Sequence, residues 1–416
     1  MSGRVGNLNQ KQEQILEKFR EDVKDILRED QIRDDHFLLK WLRARDFDLK
    51  KSEKMIRHSM EWRRQIGADT ILDDYQIPEV IQKYYTGGMC GFDNEGCPVW
   101  IDPFGHIDLK GLCYSARKID IIKSKVHVIE TLLVVMNEQT EKLGKKIDQI
   151  VLIFDIDQFG MKHLWKPGVD VFNELITMFE DHYPETLKVS YCINSPSIFP
   201  VAYKLVRPFL SDNTAKKIRV YGRKGWKECL LNEIDAEELP VFWGGTQVDE
   251  DGNPKCTNKI CFGGEVPKSY YLHDRLQVND GLTTVTVNRN ATLQIECNVI
   301  EPNSAIRWHF FTDENDIRYG LILLSRTDKE DIKGIRPLIP FQRVNSHLVP
   351  EDGMVYCKIP GIYGFCFDNS YSWLRNKKLH YSIEVLLPDS MSNCSSELSL
   401  SNHGTGNAPE EMDSLL

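Results

Sequence analysis

Hydrophobic positions in residues 1–85 recur at three- and four-residue spacing. Ile15, Leu16, Phe19, Val23, Ile26 and Leu27 form one stripe, the pattern of an amphipathic helix with a single buried face. Asp34-Asp35 opens a second helix carrying Phe37, Leu38, Trp41 and Leu42, because carboxylates suit the positive end of a helix dipole. A third helix runs from Leu49 to Ile66, with Gly67 as its stop.

The pattern changes near Gly87. Residues 87–98 read as a strand, a turn at Asp93-Asn94-Glu95-Gly96 and the start of a second strand at Val99-Trp100-Ile101. Ile119, Ile122, Val126, Ile129, Leu133, Met136 and Leu143 then mark one face of a long helix that Gly144 ends. The continuous apolar run Ile150-Val151-Leu152-Ile153-Phe154 fits a parallel strand covered on both faces. A helix over 165–181, a strand over Val189–Ile193, a helix over 198–210 and a strand near Ile218–Tyr221 complete a set of βαβ units. Residues 246–274 hold Asp249-Glu250-Asp251-Gly252-Asn253-Pro254 and Gly263-Gly264, the composition of a linker.

Beyond it the period switches to two. Val285/Val287, Leu293/Ile295/Cys297, Ile306/Trp308/Phe310, Leu321/Leu323, Tyr363/Phe365/Phe367 and Tyr381/Ile383/Val385 alternate with polar neighbours, which predicts an antiparallel β-sandwich. From Pro388 onward Ser, Asn, Gly and Glu dominate, the composition of a disordered tail. The expected division is therefore a helical domain at 1–75, an α/β domain at 76–246, a linker at 247–274, a β-sandwich at 275–387 and a tail at 388–416.

Composition narrows the function. A formal net charge of -10 argues against nucleic-acid binding, which needs a positive surface. No run of apolar residues reaches the ~18 needed to span a bilayer. Met1 to Gln14 is polar and lacks the core of a secretory signal. The 11 cysteines are odd in number and form no CxxC pair, so reduced thiols in a cytoplasmic protein are expected rather than disulfides or a metal site. There is no GxSxG, Walker loop or HExxH. Asp155 and Asp157 at a strand end are the one carboxylate pair with a hydrolase flavour, and a strand-end turn explains them equally. No catalytic residue and no cofactor is expected.

Four stretches together resemble the CRAL-TRIO lipid-transfer family. They are Asp34-Asp35 with Leu38-Leu39-Lys40-Trp41-Leu42-Arg43-Ala44-Arg45-Asp46-Phe47-Asp48; Asp93 through Gly96 to Pro98-Val99; Tyr183-Pro184-Glu185-Thr186-Leu187 continuing to Thr214 and Lys217-Ile218; and Leu239-Pro240 before Gly244-Gly245. Ile306-Arg307-Trp308-His309-Phe310 and Gly361-Ile362-Tyr363 through Tyr371 resemble a GOLD β-sandwich. The resemblance implies an α/β lipid-binding domain preceded by a helical bundle and followed by the all-β sandwich. It implies one lipid of the phosphatidylinositol, other phospholipid, tocopherol or squalene class, held in an apolar pocket under a mobile helical gate. Arg45, Glu185, Thr214 and Lys217 match the positions with which family members hold a phosphoinositide headgroup.

The residues bear on the gate independently. Ser195 to Leu210 is apolar nearly all round its helical wheel, with Pro196, Pro200 and Pro208 placed as hinges. Such a helix is either a buried core helix or a lid whose inner face lines a pocket and whose outer face enters a bilayer. Under the second reading Ile198, Phe199, Val201, Ala202, Leu205 and Phe209 are pocket and gate residues. Strand alternation adds one face of Leu152 and Phe154 and one of Val189 and Tyr191. Transient membrane contact is expected, and a protein partner through the sandwich, with Trp373, Arg375, Lys377 and Lys378 on its surface. Three functions remain open: a lipid carrier; an adaptor in which bound lipid is a signal and the sandwich recruits a lipid-metabolising enzyme; and, as the weakest, a hydrolase on the α/β scaffold.

Overall fold

The structure, a computed structural model, describes residues 3–272, 282–328 and 337–387. The chain divides into two compact units, Met1–Leu272 and His273–Leu416. The expected tail at 388–416 lies outside the described residues.

The first unit begins with α1 (Gln10–Val23), α2 (Glu29–Arg33), α3 (Asp35–Arg43), α4 (Leu49–Ile66), α5 (Ile71–Asp74) and α6 (Glu79–Tyr84). Asp34 caps α3 by accepting from the backbone N–H groups of His36 and Phe37 at 2.8 and 3.2 Å. Asp48 caps α4 through Lys51 N at 3.1 Å, and Gly67 ends that helix at φ 74°, a conformation suited to glycine. Leu16, Phe19, Leu38, Leu39, Leu42 and Ile56 close a common core, each buried side chain contributing ~1.5–3 kcal/mol. α1 stops at Val23, so Ile26 and Leu27 join this core from the turn that follows rather than from the helix.

The α/β part follows: β1 (Gly88–Phe92), β2 (Pro98–Asp102), α7 (Leu109–Ser115), α8 (Lys118–Leu143), β3 (Ile150–Asp155), α9 (Lys166–His182), β4 (Leu187–Ile193), α10 (Phe199–Val206), α11 (Asp212–Lys216), β5 (Ile218–Val220) and α12 (Trp226–Leu231). The sheet runs β1-β2-β3-β4-β5, antiparallel at the β1–β2 hairpin and parallel thereafter. The helix expected over 198–210 is shorter: α10 gives way to a 3₁₀ turn at Arg207–Phe209, where Pro208 has no N–H to continue the α ladder.

Residues 247–272 are not a free linker. Cys256, Ile260 and Val266 are buried, and backbone bridges tie Gly87 to Cys261 and Ile107 to Gly264. Three apolar side chains spaced among polar ones proved enough to seat the segment.

The second unit holds β6 (Thr283–Val287), β7 (Thr292–Val299), β8 (Ser304–Thr312), β9 (Ile317–Arg326), β10 (Ile339–Val344), β11 (Glu351–Cys357), β12 (Gly361–Asp368) and β13 (Lys377–Leu386). They form two four-stranded antiparallel sheets, β10-β9-β12-β7 and β11-β8-β13-β6, enclosing a core of Ile306, Phe310, Leu321, Phe365, Phe367 and Leu379. β10 and β11 are absent from the sequence reading. Both are terminal strands in their sheets, as are β6 and β7.

Candidate functional site

A cavity of about 320 Å³ opens on one face of the five-stranded sheet. β3 supplies Ile150, Leu152 and Phe154, while Val151 and Ile153 are buried on the opposite face. α8 adds Val128, Ile129 and Leu132; α9 adds Phe172, Leu175, Ile176 and Phe179; α10 adds Phe199, Ala202, Tyr203 and Leu205. Phe104 packs edge-on against Phe154 and tilts over Phe172, at 5.9 and 5.1 Å between ring centroids. The wall is overwhelmingly aliphatic and aromatic, a surface that binds by excluding water.

Val189 and Tyr191, expected on the cavity face, point the other way and are buried there. The cause is a β-bulge. Ile150 pairs with Leu187 but Val151 pairs with Val189, so Lys188 is an extra residue on β4. Leu187 lines the cavity, and after the bulge Ser190 and Cys192 take that face. Lys188 uses the irregularity to reach Asp93 and Glu95 in the β1–β2 turn, at 2.6 and 2.9 Å. Sequence alternation cannot register an inserted residue, and the error reverses the face of every residue beyond it.

α10 covers the cavity. No residue of it is fully buried, which removes the buried-core reading of this helix. Phe199 and Ala202 line the interior, Val201 and, in the turn that follows, Phe209 are 53% and 43% exposed on the outside, and Leu205 both touches the cavity and is 43% exposed. Ile198 stands just before the helix, partly buried and not in the lining. The helix is thus apolar on its inner face, and its outer face mixes exposed Val201 and Leu205 with the charged Lys204.

At one end of the cavity Glu185, Thr214 and Lys217 come together. Lys217 Nζ donates to Leu187 O at 2.8 Å and lies 3.7 Å from Glu185 Oε2. Desolvation lowers the Lys217 pKa from the ordinary lysine value, and Glu185 opposes the fall. Ser211 Oγ and Thr214 Oγ1 share a hydrogen bond at 3.0 Å. Glu185 holds φ +60°, a left-handed backbone rare for a non-glycine residue and common at functional positions.

Arg45 does not join them. It sits in the turn after α3, its guanidinium donating to Ala44 O at 2.9 Å and facing Asp181 at 3.8 Å. The arginine at this corner is Arg43, the last residue of α3, with Nε 3.6 Å from Glu185 Oε2 and without a hydrogen-bond partner. Two residues along a helix end is about half a turn, so the two arginines face different ways.

A second polar group lines the cavity unforeseen. Asp102 at the end of β2, Lys125 of α8 and Tyr85 stand in an otherwise apolar wall. Thr86 Oγ1 donates to Asp102 Oδ1 at 2.6 Å, and Lys125 Nζ lies 3.6 Å from the Tyr85 ring centroid. Burial pushes Asp102 up to about 6 and Lys125 down to about 8, each partly offset by the charge of the other. The sequence carried a signal for it: Lys125 interrupts the apolar stripe of Ile122, Val126 and Ile129.

Asp155 is consumed structurally. It accepts from Asp157 N, Asn194 Nδ2 and Trp243 Nε1 at 3.1, 2.9 and 2.9 Å, the bonding of a strand-end turn. Among the described residues no His, Cys, Asp and Glu group is arranged to hold a metal, ten cysteines are free thiols, and no helix is long and apolar enough to cross a membrane.

Residues 82–245 match the CRAL/TRIO domain and residues 8–58 its N-terminal domain, together just over half of the chain. The helical bundle, the mixed sheet and its apolar cavity are the parts so matched, and the chain belongs to the CRAL/TRIO family, a lipid-binding and lipid-transfer fold. Protein real-time of Aedes aegypti is 32% identical over 342 residues, covering 78% of this chain and 51% of its own length, so the chain spans about half of that relative. Protein ctg-1 of Caenorhabditis elegans is 28% identical over 368 residues, covering 88% of this chain and 94% of its own. Among solved structures, Sfh5 aligns at a TM-score of 0.49 with 16% identity over 65% of this chain and 99% of that one.

Proposed function

We propose that the chain binds one hydrophobic lipid in the cavity and carries it between membranes, with α10 as the gate. One observation carries this reading: α10 separates the apolar cavity from the exterior yet shows Val201 and Leu205 to solvent, with Phe209 exposed in the turn that follows. A surface helix gains nothing from exposed apolar residues in water, and gains ~0.8 kcal/mol per CH₂ when they enter a bilayer. The cargo is of the phosphatidylinositol, other phospholipid, tocopherol or squalene class. For a phospholipid, Lys217, Thr214 and Glu185 take the headgroup, and Arg43 supplies the guanidinium first assigned to Arg45. The protein acts as a carrier rather than an enzyme, in the cytoplasm and peripherally at membranes. The β-sandwich after the α/β domain is read as a GOLD domain, an order of parts that resembles supernatant protein factor, also called tocopherol-associated protein.

The test is native mass spectrometry on protein purified without detergent, followed by incubation with vesicles. One stoichiometric lipid supports the reading, and its headgroup assigns the class. A protein that is empty and takes up nothing from vesicles removes it.

The adaptor reading has its own support. Trp373 and Leu374 stand side by side at 85% and 86% exposure on the β12–β13 loop of the sandwich. Adjacent exposed apolar side chains on an anchored loop suit a recruiting surface. Removal of the sandwich leaves lipid transfer intact under the carrier reading and abolishes the downstream output under the adaptor one.

A further inference from the structure

The proposed lipid cavity has two polar corners. Glu185, Thr214 and Lys217 mark the N-terminal edge of β4 and β5. Asp102, level with Phe154 across the sheet, marks the C-terminal edge of β2. About six residues along the strands and two strands across separate Asp102 from Glu185, and about three residues and three strands separate it from Lys217, roughly 20 Å in either case at ordinary sheet spacings. That is the length of an extended lipid chain.

The second corner has unused hydrogen-bonding capacity. Among the described residues the Lys125 ammonium has no hydrogen-bond acceptor and closes no direct ion pair. Its near neighbours are the rings of Tyr85 at 3.6 Å and Trp100 at 5.8 Å. Asp102 is 5% exposed and takes a single side-chain hydrogen bond, from Thr86. The Tyr85 hydroxyl has no partner either. Both donors face the cavity, and a donor that gives up water to an incoming lipid without gaining an acceptor carries a desolvation penalty of ~1–3 kcal/mol, more when charged. Hydrocarbon laid against this corner would leave the penalty in place.

We infer that this corner is a second recognition site, taking a neutral lipid oxygen at the end of the cargo remote from Glu185 and Lys217. A hydroxyl accepts from Lys125 or Tyr85 and donates to the free oxygen of Asp102; a carbonyl or ether oxygen uses the acceptor half alone. The occupant is neutral because Lys125 and Asp102 already balance. A carboxylate would bring an uncompensated charge into an apolar cavity. The raised carboxyl and lowered ammonium of the pair agree with so dry a setting. The site therefore selects oxygenated neutral lipids over chains ending in plain methyl groups.

This rests on the cavity being the lipid site, and the experiment separates the two. Phosphatidylcholine vesicles carrying trace octadecane, octadecan-1-ol or octadecanoate are incubated with the full-length protein, and the retained probe is counted. Wild type is expected to hold the alcohol ~10-fold better than the hydrocarbon, and Lys125→Met to bring that ratio near one while octadecane uptake stays or rises. Tyr85→Phe, which removes a single hydroxyl, lowers the ratio without disturbing the fold and guards against a misfolded Lys125 variant. Octadecane bound with a ratio of one in wild type, or a ratio unchanged by both substitutions, overturns the second site alone. Preference for octadecanoate overturns its neutral specificity. Uptake of no probe at all overturns the cavity assignment together with it.

Discussion

Trp243 Nε1 donates to Asp155 Oδ2 at 2.9 Å, joining the end of β3 to the chain that closes the α/β domain. Both partners are buried, and the carboxylate also gathers Asn194 and Asp157 N. Asp155→Ala strands three donors at once. The expected loss is ~2–4 kcal/mol in urea denaturation, with lipid retained by the protein that remains folded. A variant of wild-type stability would mean that the network contributes nothing. Loss of an ester-hydrolysing activity would reopen the hydrolase reading instead.

Lys217 and Glu185 carry the second prediction. Lys217→Ala removes the ammonium that faces Glu185 and leaves Leu187 O with the Gln149 amide, at 3.3 Å, as its remaining side-chain donor. Retention of phosphatidylinositol should fall ~10-fold while a neutral isoprenoid is held as before, since only the first presents a phosphate. Equal loss of both ligands in a vesicle-uptake assay would assign Lys217 to the fold.

Much of this architecture was legible in the sequence. Helix stripes, the Gly67 and Gly144 stops, the apolar β3 run and the period-two strands each depend on local spacing, and local spacing survives folding. What failed depended on neighbours. The bulge at Lys188, whose ammonium pairs with Asp93 and Glu95 of another strand pair, turned Val189 and Tyr191 from the cavity. Arg43 and Arg45 are two residues apart in one motif, and only the turn after α3 separates them. Lys377, expected on the surface beside Trp373, is 3% exposed and paired with Asp316 at 3.0 Å, because its strand position faces inward. Asp102 and Lys125 come from distant segments, so neither spacing nor composition could pair them.

The β12–β13 loop gives the third prediction. Asn369 is fully buried and donates to Val287 O, Asn288 O and Arg375 O at 3.2, 3.1 and 3.0 Å, so the tip bearing Trp373 and Leu374 is held out from a fixed base. Trp373→Ala with Leu374→Ser should reduce co-sedimentation with phospholipid vesicles several-fold and move stability by less than about 0.5 kcal/mol, as exposed substitutions do. Unchanged sedimentation would remove the loop from membrane contact and leave it to a protein partner.

His182 supplies a pH dependence. Its ring stacks on Trp62 with centroids 3.9 Å apart and planes within 2°, and Nδ1 has no hydrogen-bond partner. Desolvation first, then the nearby His58 and Arg63, lower its pKa to about 3. The folded state therefore keeps the ring neutral where the unfolded chain, titrating near ~6.5, takes a proton. Stability from this group is complete above the unfolded value and declines as pH falls towards 3, by at most ~1.4 kcal/mol per pH unit. Between pH 7 and pH 5 the wild type should lose about 1–2 kcal/mol more than His182→Phe, which keeps the stack on Trp62 but cannot titrate. The readout is the urea midpoint at each pH. Parallel decline of the two proteins would mean that His182 is protonated in the folded state. A steeper decline in the wild type would make this contact between α4 and α9 the acid-sensitive joint beside Tyr183 and Glu185, so that acid loosens the helical bundle at the very end of the cavity where a headgroup would sit.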